Sequence, residues 1–322
     1  MKSLEEESYS NYSRLFKIRL SLVHKLLFFL RKHPFKGSTR LKNLIKQIFI
    51  PSPPESIVVP TLYGFDLLIQ PAKDNGVETL IYERGTYEDG TLSVMRSCLN
   101  KGEVFLDIGS NVGLMTMFAS RLVKDSGKVY SFEPDPTLMA ILKENKSING
   151  FENVNTYQKA LGSNSGKSTL YRKPEVNRGA GSLIKGKTKH TNEVDVEVKT
   201  LDDFITENQV PNIKMVKIDV EGWELEVLKG GNKCFSGPKA PILSVEFSAS
   251  HPQKGGELLD LYHHIRNLND YRIFKLSRGK GIESKLLEVK DEEDLPEHDN
   301  LFCFLPHQLS NSEIQKILKR TP

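Results

Sequence analysis

The feature that most constrains this chain is an apolar, strand-like run that ends in an acid and enters a glycine-rich turn, at Val104–Gly113. A helix-like apolar stretch begins at Leu114 directly after the turn. A strand, a tight turn and a helix in this order are typical of an α/β sheet that binds ligands at the carboxyl ends of its strands. Glycine at positions 109 and 113 lets the backbone approach a ligand and lets the helix pack on the strand.

Strand-like and helix-like segments alternate after this motif. The alternation predicts a Rossmann-like α/β fold with a mostly parallel sheet and helices on both faces. Gly162–Thr200, rich in Ser, Gly and Lys, interrupts the pattern and is predicted to be a hairpin-like insertion or a flexible loop. The predicted strands of the sheet are Val104–Ile108, Lys128–Phe132, Asn153–Gln158, Met215–Val220, Ile242–Phe247, Tyr271–Leu276 and Leu301–Leu305.

The turn favours one class of cofactor over another. A dinucleotide site has a third glycine, in the pattern Gly-x-Gly-x-x-Gly, whereas this turn offers only Gly109 and Gly113. Asp107 precedes the turn, and its carboxylate suits a ligand with a cationic amine, such as S-adenosylmethionine. Glu133 ends the next strand, at the separation typical of an acid that binds ribose hydroxyls. We therefore predict a cofactor site from Asp107, Glu133 and the turn, including Asn111.

Several motifs in order resemble the FkbM family of S-adenosylmethionine-dependent methyltransferases. The resemblance extends from Ile57 to Pro306 and implies a class I methyltransferase fold, S-adenosylmethionine as donor and usually an oxygen acceptor. It also implies that Glu83 and Glu88, ahead of the first core strand, close over the cofactor. The motifs are Tyr82–Glu88, Phe105–Gly113, Ser131–Pro134, Thr200–Phe204, Val216–Glu224 and Leu228–Gly230.

Three acids at strand ends are the predicted catalytic groups. Asp219 ends one strand, Glu221 follows in the next turn, and Glu246 ends the following strand. Carboxylates at neighbouring strand ends lie close together, and crowding raises the pKa of one of them, which produces a general base. The alternative is that these acids cap a helix or pair with Lys217 or Lys229.

A histidine adds a further candidate to this group. His251 follows Glu246 closely in the chain and is either a second candidate base or a solvated loop residue. Together with the three acids it could bind a divalent cation. No tighter ligand motif accompanies these residues, so no metal is predicted.

The first 55 residues differ in charge and in apolar periodicity from residues 56–322, which we assign to the methyltransferase domain. Residues 12–32 have the periodicity of an amphipathic helix, a second short helix follows, and Pro51–Pro54 is typical of a linker. Residues 11–50 carry ten Lys or Arg and no acid. The extension is therefore expected either to contact an anionic membrane surface through residues 12–48 or to pack on the domain or on a second subunit.

Composition limits the location and the partners. The net charge is +4, so a chain with ten cations in residues 11–50 is mildly acidic elsewhere, which argues against a nucleic-acid partner. The apolar stretch Leu20–Leu30 is too short to span a bilayer. Three cysteines without a Cys-x-x-Cys pair indicate reduced thiols. We expect a cytoplasmic protein, in peripheral contact with a membrane if the extension binds lipid.

The leading hypothesis is a methyltransferase that acts on a hydroxyl of a small molecule, sugar or glycolipid. A nicotinamide-dependent oxidoreductase is the second hypothesis, and a ligand-binding module without catalysis is the third. A nitrogen acceptor and any oligomeric state remain compatible with the sequence.

Overall fold

Strands occur throughout the parts of the chain that the computed structural model describes, which are residues 14–172, 178–185, 192–248 and 259–320. In chain order they are β1 Ile57–Pro60, β2 Asp66–Ile69, β3 Val104–Ile108, β4 Lys128–Phe132, β5 Val154–Tyr157, β6 Ala160–Leu161, β7 Gly166–Arg172, β8 Asn192–Lys199, β9 Met215–Ile218, β10 Ile242–Ser248, β11 Arg272–Leu276, β12 Leu286–Val289 and β13 His298–Phe304.

Helices flank these strands along the same ranges. They are α1 Arg14–Lys32, α2 Ser38–Phe49, α3 Val77–Arg84, α4 Asp89–Cys98, α5 Leu114–Val123, α6 Pro136–Asn149, α7 Leu201–Glu207, α8 Glu224–Gly230, α9 Asn232–Ser236, α10 Asp260–Leu268 and α11 Ser312–Leu318.

The largest sheet within the described ranges has the strand order β12-β11-β13-β10-β9-β3-β4-β5. The five strands from β10 to β5 run parallel, and β13 is antiparallel to both of its neighbours. The sheet is therefore mostly parallel, as the sequence predicts. Because β4 and β9 lie on opposite sides of β3, the strand order reverses there, and ligands bind at such a reversal beyond the carboxyl ends of the strands.

Helices cover both faces of the sheet and bury two apolar cores. Phe105 points into one core with Met117 of α5 and Leu142 of α6, whereas its neighbour Leu106 points into the other with Leu228 of α8. This alternation is the two-residue period of a strand that is buried on both faces. It accounts for the nearly continuous apolar runs that mark β3, β9 and β10 in the sequence.

Local signals set the ends of α6, for which the sequence pattern predicts the same bounds, Pro136–Asn149. Asp135 accepts hydrogen bonds from the backbone N–H groups of Thr137 and Leu138, and Pro136 occupies the first turn. Gly150 ends the helix in the left-handed conformation. The insertion at 162–200 contains the antiparallel pair β7 and β8, so the hairpin-like alternative is confirmed for its described part. Cys98, Cys234 and Cys303 are free thiols.

The basic extension is packed on the rest of the protein and is not set apart from it. Leu20 of α1 is 2% exposed and belongs to the same core as Phe105. His24 is fully buried, with its Nε2 atom 2.8 Å from the carbonyl oxygen of Tyr82. The boundary predicted at residue 55 thus marks a change in composition and charge, but residues on both sides of it share one hydrophobic core. No helix in the described ranges is long and apolar enough to cross a membrane.

Candidate active site

A cavity of about 350 Å³ opens beyond the carboxyl ends of β3, β4, β9 and β10. Its volume is within the range of small-molecule sites, roughly 300–1,000 Å³. Eight of the residues predicted from the sequence line it: Glu88, Asp107, Gly109, Asn111, Glu133, Asp219, Glu221 and Glu246. The strand ends therefore bring the predicted cofactor acids and the predicted catalytic acids into one cavity.

Gly109 is required by the close approach of a neighbouring backbone segment. Its φ is +84°, and a Cβ atom at this position would lie 1.8 Å from the carbonyl oxygen of Asp219. The close approach that the sequence attributes to a ligand is thus an approach of two backbone segments. Gly113, with φ of +92°, does not line the cavity; a Cβ there would lie 2.3 Å from Leu142 of α6, which fits its predicted role in helix packing.

Asp107 lines the cavity, and its carboxyl group is buried. Its Oδ2 atom accepts a hydrogen bond of 2.6 Å from the hydroxyl of Thr116, whereas Oδ1 has no hydrogen-bond partner among the described residues. Burial raises the pKa of this carboxyl to about 6. A buried acceptor without a donor is costly, so this oxygen suits a cationic or N–H donor on a ligand.

Glu133 is fixed by backbone hydrogen bonds at the end of β4. The N–H of Asn111 donates to Oε2 and the N–H of Asp135 donates to Oε1, each at 2.9 Å. Asn111 has a positive φ of 52°, which directs its N–H toward this strand. Burial raises the pKa of Glu133 to about 7. Each carboxylate oxygen can accept a second hydrogen bond, so Glu133 can still bind hydroxyl groups.

Asp219 pairs with a lysine of its own strand. Lys217 Nζ lies 2.7 Å from Asp219 Oδ2, and the lysine side chain is buried. Burial alone would raise the pKa of Asp219, but the charges of Lys217 and Lys280 outweigh it and hold the pKa below its usual value. The alternative that a strand-end acid pairs with Lys217 is therefore what the structure shows for Asp219, which stays ionised and lines the cavity.

Among the three predicted catalytic acids, Glu246 has a strongly raised pKa. Burial and the negative charge of Asp219 raise its pKa well above the usual value for a glutamate, although Lys280 opposes the shift. Lys280 Nζ lies 2.6 Å from Glu246 and 3.0 Å from Glu88, so one ammonium group joins two carboxylates. A carboxylate of raised pKa at a cavity wall has the properties of a general base.

The carboxylates of Asp219, Glu221 and Glu246 offer oxygens within 4.8 Å of one another. Such a group can bind a divalent cation. Here, however, Lys217 and Lys280 already contact Asp219 and Glu246. The sequence-based expectation that no metal takes part stays a prediction.

Besides Gly113, the predicted residue Glu83 does not line the cavity. Glu83 lies on the face of α3 that meets α2, where its carboxylate pairs with Lys46. The sequence resemblance places Glu83 near the cofactor, but the helix turns its side chain toward the extension instead. His251 lies in residues 249–258, outside the described residues.

Sequence reasoning missed three residues that shape the cavity. Lys280 comes from the turn between β11 and β12. Asn300 of β13 lies opposite Glu246 in the sheet and donates hydrogen bonds to Glu88 and Thr91, at 3.1 and 2.8 Å. Arg178 comes from the insertion. None belongs to a recognisable motif, and the positions of Lys280 and Asn300 depend on where the last strands return to the sheet.

Arg178 fastens the insertion over the cavity. Its guanidinium pairs with the buried carboxylate of Glu78 and donates a 2.7 Å hydrogen bond to Gln70, and its backbone N–H donates to Asp74. The segment Arg178–Ala180 is thereby held against α3 and the turn before it. The insertion therefore forms part of the cavity wall.

The charge of the cavity is negative in sum. Seven carboxyl side chains line it against four lysine or arginine side chains. A cleft lined mostly by one sign of charge attracts ligands of the opposite sign. The cavity thus suits a cationic ligand and disfavours a pyrophosphate.

The chain is similar to known methyltransferases. Residues 107–275 match the family described as Methyltransferase FkbM domain. The chain is 33% identical over 144 residues to Methyltransferase 1 of Beauveria bassiana, covering 39% of this chain and 57% of that one. It is 33% identical over 146 residues to the hexuronic acid methyltransferase AglP of Haloferax volcanii, covering 44% and 56%.

A third relative has lower identity. The chain is 26% identical over 168 residues to the 2-O-methyltransferase NoeI of Sinorhizobium fredii, covering 47% of this chain and 66% of that one. The matches to these three curated relatives thus span between 56% and 66% of their lengths.

Proposed function

Because the chain belongs to the FkbM methyltransferase domain family, we propose that it transfers the methyl group of S-adenosylmethionine to a hydroxyl group of a small molecule or sugar. The observation that carries the proposal is the unpartnered, fully buried Asp107 Oδ1 in the wall of an acidic cavity. A cationic amine would satisfy this oxygen, and an acidic cavity would favour a sulfonium.

The donor would be held by residues at the ends of β3 and β4. Asp107 would accept from its amine, and Glu133 would accept from its ribose hydroxyls. Bound there, S-adenosylmethionine would supply an activated methyl group for transfer to a nucleophile, with S-adenosylhomocysteine as the leaving group. The remaining chemistry belongs to the protein, which must align the acceptor oxygen and remove its proton.

We assign the removal of that proton to Glu246. Its raised pKa makes it the strongest carboxylate base at the cavity wall, and Lys280 fixes its position. Asp219, which stays ionised, keeps the pKa of Glu246 high. Proton transfer to a positioned base contributes about 10²–10⁴-fold to the rate in enzymes. Glu221 lies beside both groups and is proposed to help orient the acceptor.

An oxygen acceptor is favoured by the names of two relatives, a hexuronic acid methyltransferase and a 2-O-methyltransferase. A sugar presents several hydroxyl groups, which the carboxylates and lysines beside Glu246 could bind through hydrogen bonds.

The competing hypotheses make different predictions about the ligand. A nicotinamide dinucleotide needs glycines that expose backbone N–H groups to a pyrophosphate, and it brings negative charge to an acidic cavity. A binding module without catalysis needs no general base at the cavity wall. Both alternatives can be tested by binding and turnover measured on the same preparation.

The first experiment is calorimetric titration of the full chain with S-adenosylmethionine, S-adenosylhomocysteine and NAD. We expect both sulfur ligands to bind and NAD to give no heat. Asp107→Asn should weaken binding at least about tenfold, since a charge-assisted hydrogen bond contributes about 1.5–3 kcal/mol. Asp125→Asn, exposed and far from the cavity, is the matched control. Binding of NAD alone, or unchanged affinity of Asp107→Asn, would overturn the proposal.

The second experiment identifies the acceptor atom. The full chain is incubated with methyl-labelled donor and a set of hexuronic acids, neutral sugars and amino sugars. Label in an ether linkage on a hydroxyl supports the proposal. Label on nitrogen would show that the oxygen assignment is wrong, even if the donor binds as expected.

A further inference from the structure

The helix α1 has two apolar faces, and the protein covers one of them. Leu20 packs into the main core, and Val23, Leu27 and Leu30 form a small core with Ile45 of α2. A second stripe faces outward, with Leu22 61% and Phe29 58% exposed. Its members recur every three or four residues, which keeps them on one side of the helix. They are Leu15, Ile18, Leu22, Leu26 and Phe29.

The exposed apolar residues continue through the rest of the extension. Phe35 in the turn and Leu41, Leu44, Ile48 and Phe49 of α2 are also exposed. Of the thirteen large apolar side chains that are exposed in the described ranges, ten lie in residues 14–50. Such a concentration marks an interaction surface, because isolated exposed apolar residues are normally scattered.

Positive charge accompanies this apolar surface. Of the ten cations in residues 11–50, Lys17, Arg31, Lys32 and Lys46 form ion pairs with the domain, and Arg19 donates to the carbonyl of Phe49. The others form no ion pair with any described residue; they are Arg14, Lys25, Lys36, Arg40 and Lys42. No acid is present in residues 11–50 to balance them.

We propose that the protein docks on an anionic membrane through one surface of its extension. This lipid-facing surface consists of the exposed apolar residues of α1 and α2 and the five cations that form no ion pair with the described residues. Apolar side chains that enter the interface and cations that meet anionic headgroups are the two components of interfacial helix binding. A second copy of the chain is a poorer occupant, because a symmetric contact would bring two sets of cations together with no acid from either surface.

The position of α1 connects this surface to the cavity. At its C-terminal end, Arg31 pairs with Asp89 at 3.2 Å and Lys32 pairs with Glu283 at 3.3 Å. Asp89 directly follows Glu88, and Glu283 lies three residues beyond Lys280; both Glu88 and Lys280 line the cavity. A protein docked through α1 would therefore hold the rim of its cavity near the bilayer.

The test is co-sedimentation of the full chain with vesicles of phosphatidylcholine alone and of phosphatidylcholine with phosphatidylserine. We expect the protein to pellet with the anionic vesicles at low salt and to be released at high salt. Lys25→Gln/Lys36→Gln/Arg40→Gln should reduce partitioning, by about fivefold for each cation removed. The matched control, Lys101→Gln/Lys124→Gln/Lys143→Gln, removes exposed cations elsewhere and should partition like the wild type.

The apolar component is tested separately with Leu22→Ser/Phe29→Ser. This double variant should lower partitioning about tenfold or more, while Ile148→Ser/Leu287→Ser, also exposed, should not. Circular dichroism and the melting temperature confirm that each variant is folded. If the wild type ignores anionic vesicles, or if only the control variants lose binding, the proposal is wrong. A concentration-dependent dimer that Leu22→Ser/Phe29→Ser abolishes, without vesicle binding, would assign the surface to a second copy.

Discussion

Lys280 Nζ lies 2.6 Å from the carboxylate of Glu246, although the two residues come from opposite sides of the strand that separates β10 from β11. The same ammonium group reaches Glu88, so it links the sheet to the segment before α4. Burial would lower the pKa of Lys280, but Glu88, Asp219 and Glu246 raise it, and the lysine stays charged. Lys280 thereby fixes the position of the proposed base, Glu246. The pKa of Glu246 nevertheless stays raised, whereas that of Asp219 is lowered.

Replacement of Glu246 should separate catalysis from binding. We expect Glu246→Gln to lower kcat about 10²–10⁴-fold, because the amide cannot accept the acceptor's proton. The affinity for S-adenosylhomocysteine should change little, since Asp107 and Glu133 hold the donor. In the wild type, kcat/KM should rise with pH as Glu246 ionises, and this limb of the profile should be absent in the variant.

The control is Glu152→Gln, an exposed glutamate far from the cavity, which should behave like the wild type. Asp219→Asn should lower kcat as well. Its kcat/KM should rise at a lower pH than that of the wild type, because Glu246 loses the negative neighbour that raises its pKa. Full activity of Glu246→Gln on an identified acceptor would rule out its assignment as the base.

Glu133 should make the stability of the protein depend on pH. Its folded pKa of about 7 lies above its ordinary value of 4.5, so folding favours the protonated form. The resulting stability is fully present below pH 4.5 and is lost as pH rises through 7. The size of this change is about 3 kcal/mol, from 1.36 kcal/mol for each pKa unit. Urea unfolding at a series of pH values measures it.

The difference between wild type and Glu133→Gln isolates this contribution, because other titrating groups cancel. The free energy of unfolding of the wild type, relative to the variant, should fall between pH 4.5 and pH 7 and stay constant at higher pH. A difference that does not vary with pH would show that Glu133 titrates in the folded protein as it does in the unfolded chain.

Two leucines of α1 provide a matched test of how the extension is attached. Leu20→Ala should lower the free energy of unfolding by about 2–5 kcal/mol, as for other buried leucines, because Leu20 belongs to the main core. Leu22→Ala removes the same atoms from an exposed position and should change it by less than about 0.5 kcal/mol. Equal effects from the two variants would contradict the packing of α1 described above.

The ion pair between Arg178 and Glu78 should be needed to hold the insertion over the cavity. Arg178→Met leaves Glu78 buried without its cation, which costs about 3–5 kcal/mol when one partner of a buried pair is removed. Glu78→Gln/Arg178→Met should recover most of this loss, as measured by urea unfolding. Donor dissociation, measured by stopped flow, should be faster in both variants. An additive double-mutant cycle would show that the two side chains do not interact.

The parts of the fold that the sequence predicted best are those with several local signals in agreement. For α6, a capping aspartate, a proline in the first turn, a regular apolar face and a terminal glycine all indicate the same bounds. The strand β3 and its turn are equally well marked. By contrast, β12 and α3 are short, at four and eight residues, and the sequence pattern revealed neither of them.

The site was predictable where strand ends determine it. Asp107, Glu133, Asp219 and Glu246 all follow parallel strands, so a sheet of this type brings them together whatever the loops do. Lys280 and Asn300 were not predictable, because their positions depend on where the last strands return to the sheet. Glu83 illustrates the opposite error: a motif near the site in sequence does not determine which way a helix points each of its side chains.

The extension shows a further limit. Periodicity revealed that α1 has a broad apolar arc, but it could not say which part of the arc is buried. Leu20 and Leu22 are separated by two positions and are indistinguishable by composition, yet one lies in the core and the other faces outward. That distinction depends on the surface of α3 and β1, which is assembled from other parts of the chain.

The position of β13 in the sheet determines how late in synthesis the sheet can finish folding. It is the last strand of the described chain, yet it lies inside the sheet, between β10 and β11. During synthesis, a chain that stops before His298 leaves the facing edges of β10 and β11 without partners, and open strand edges pair readily with other chains. The seven residues of β13 close that gap and deliver Asn300 to Glu88. We therefore expect the nascent chain to expose both open edges until those residues leave the ribosome, and Glu88 to gain its partner Asn300 in the same step.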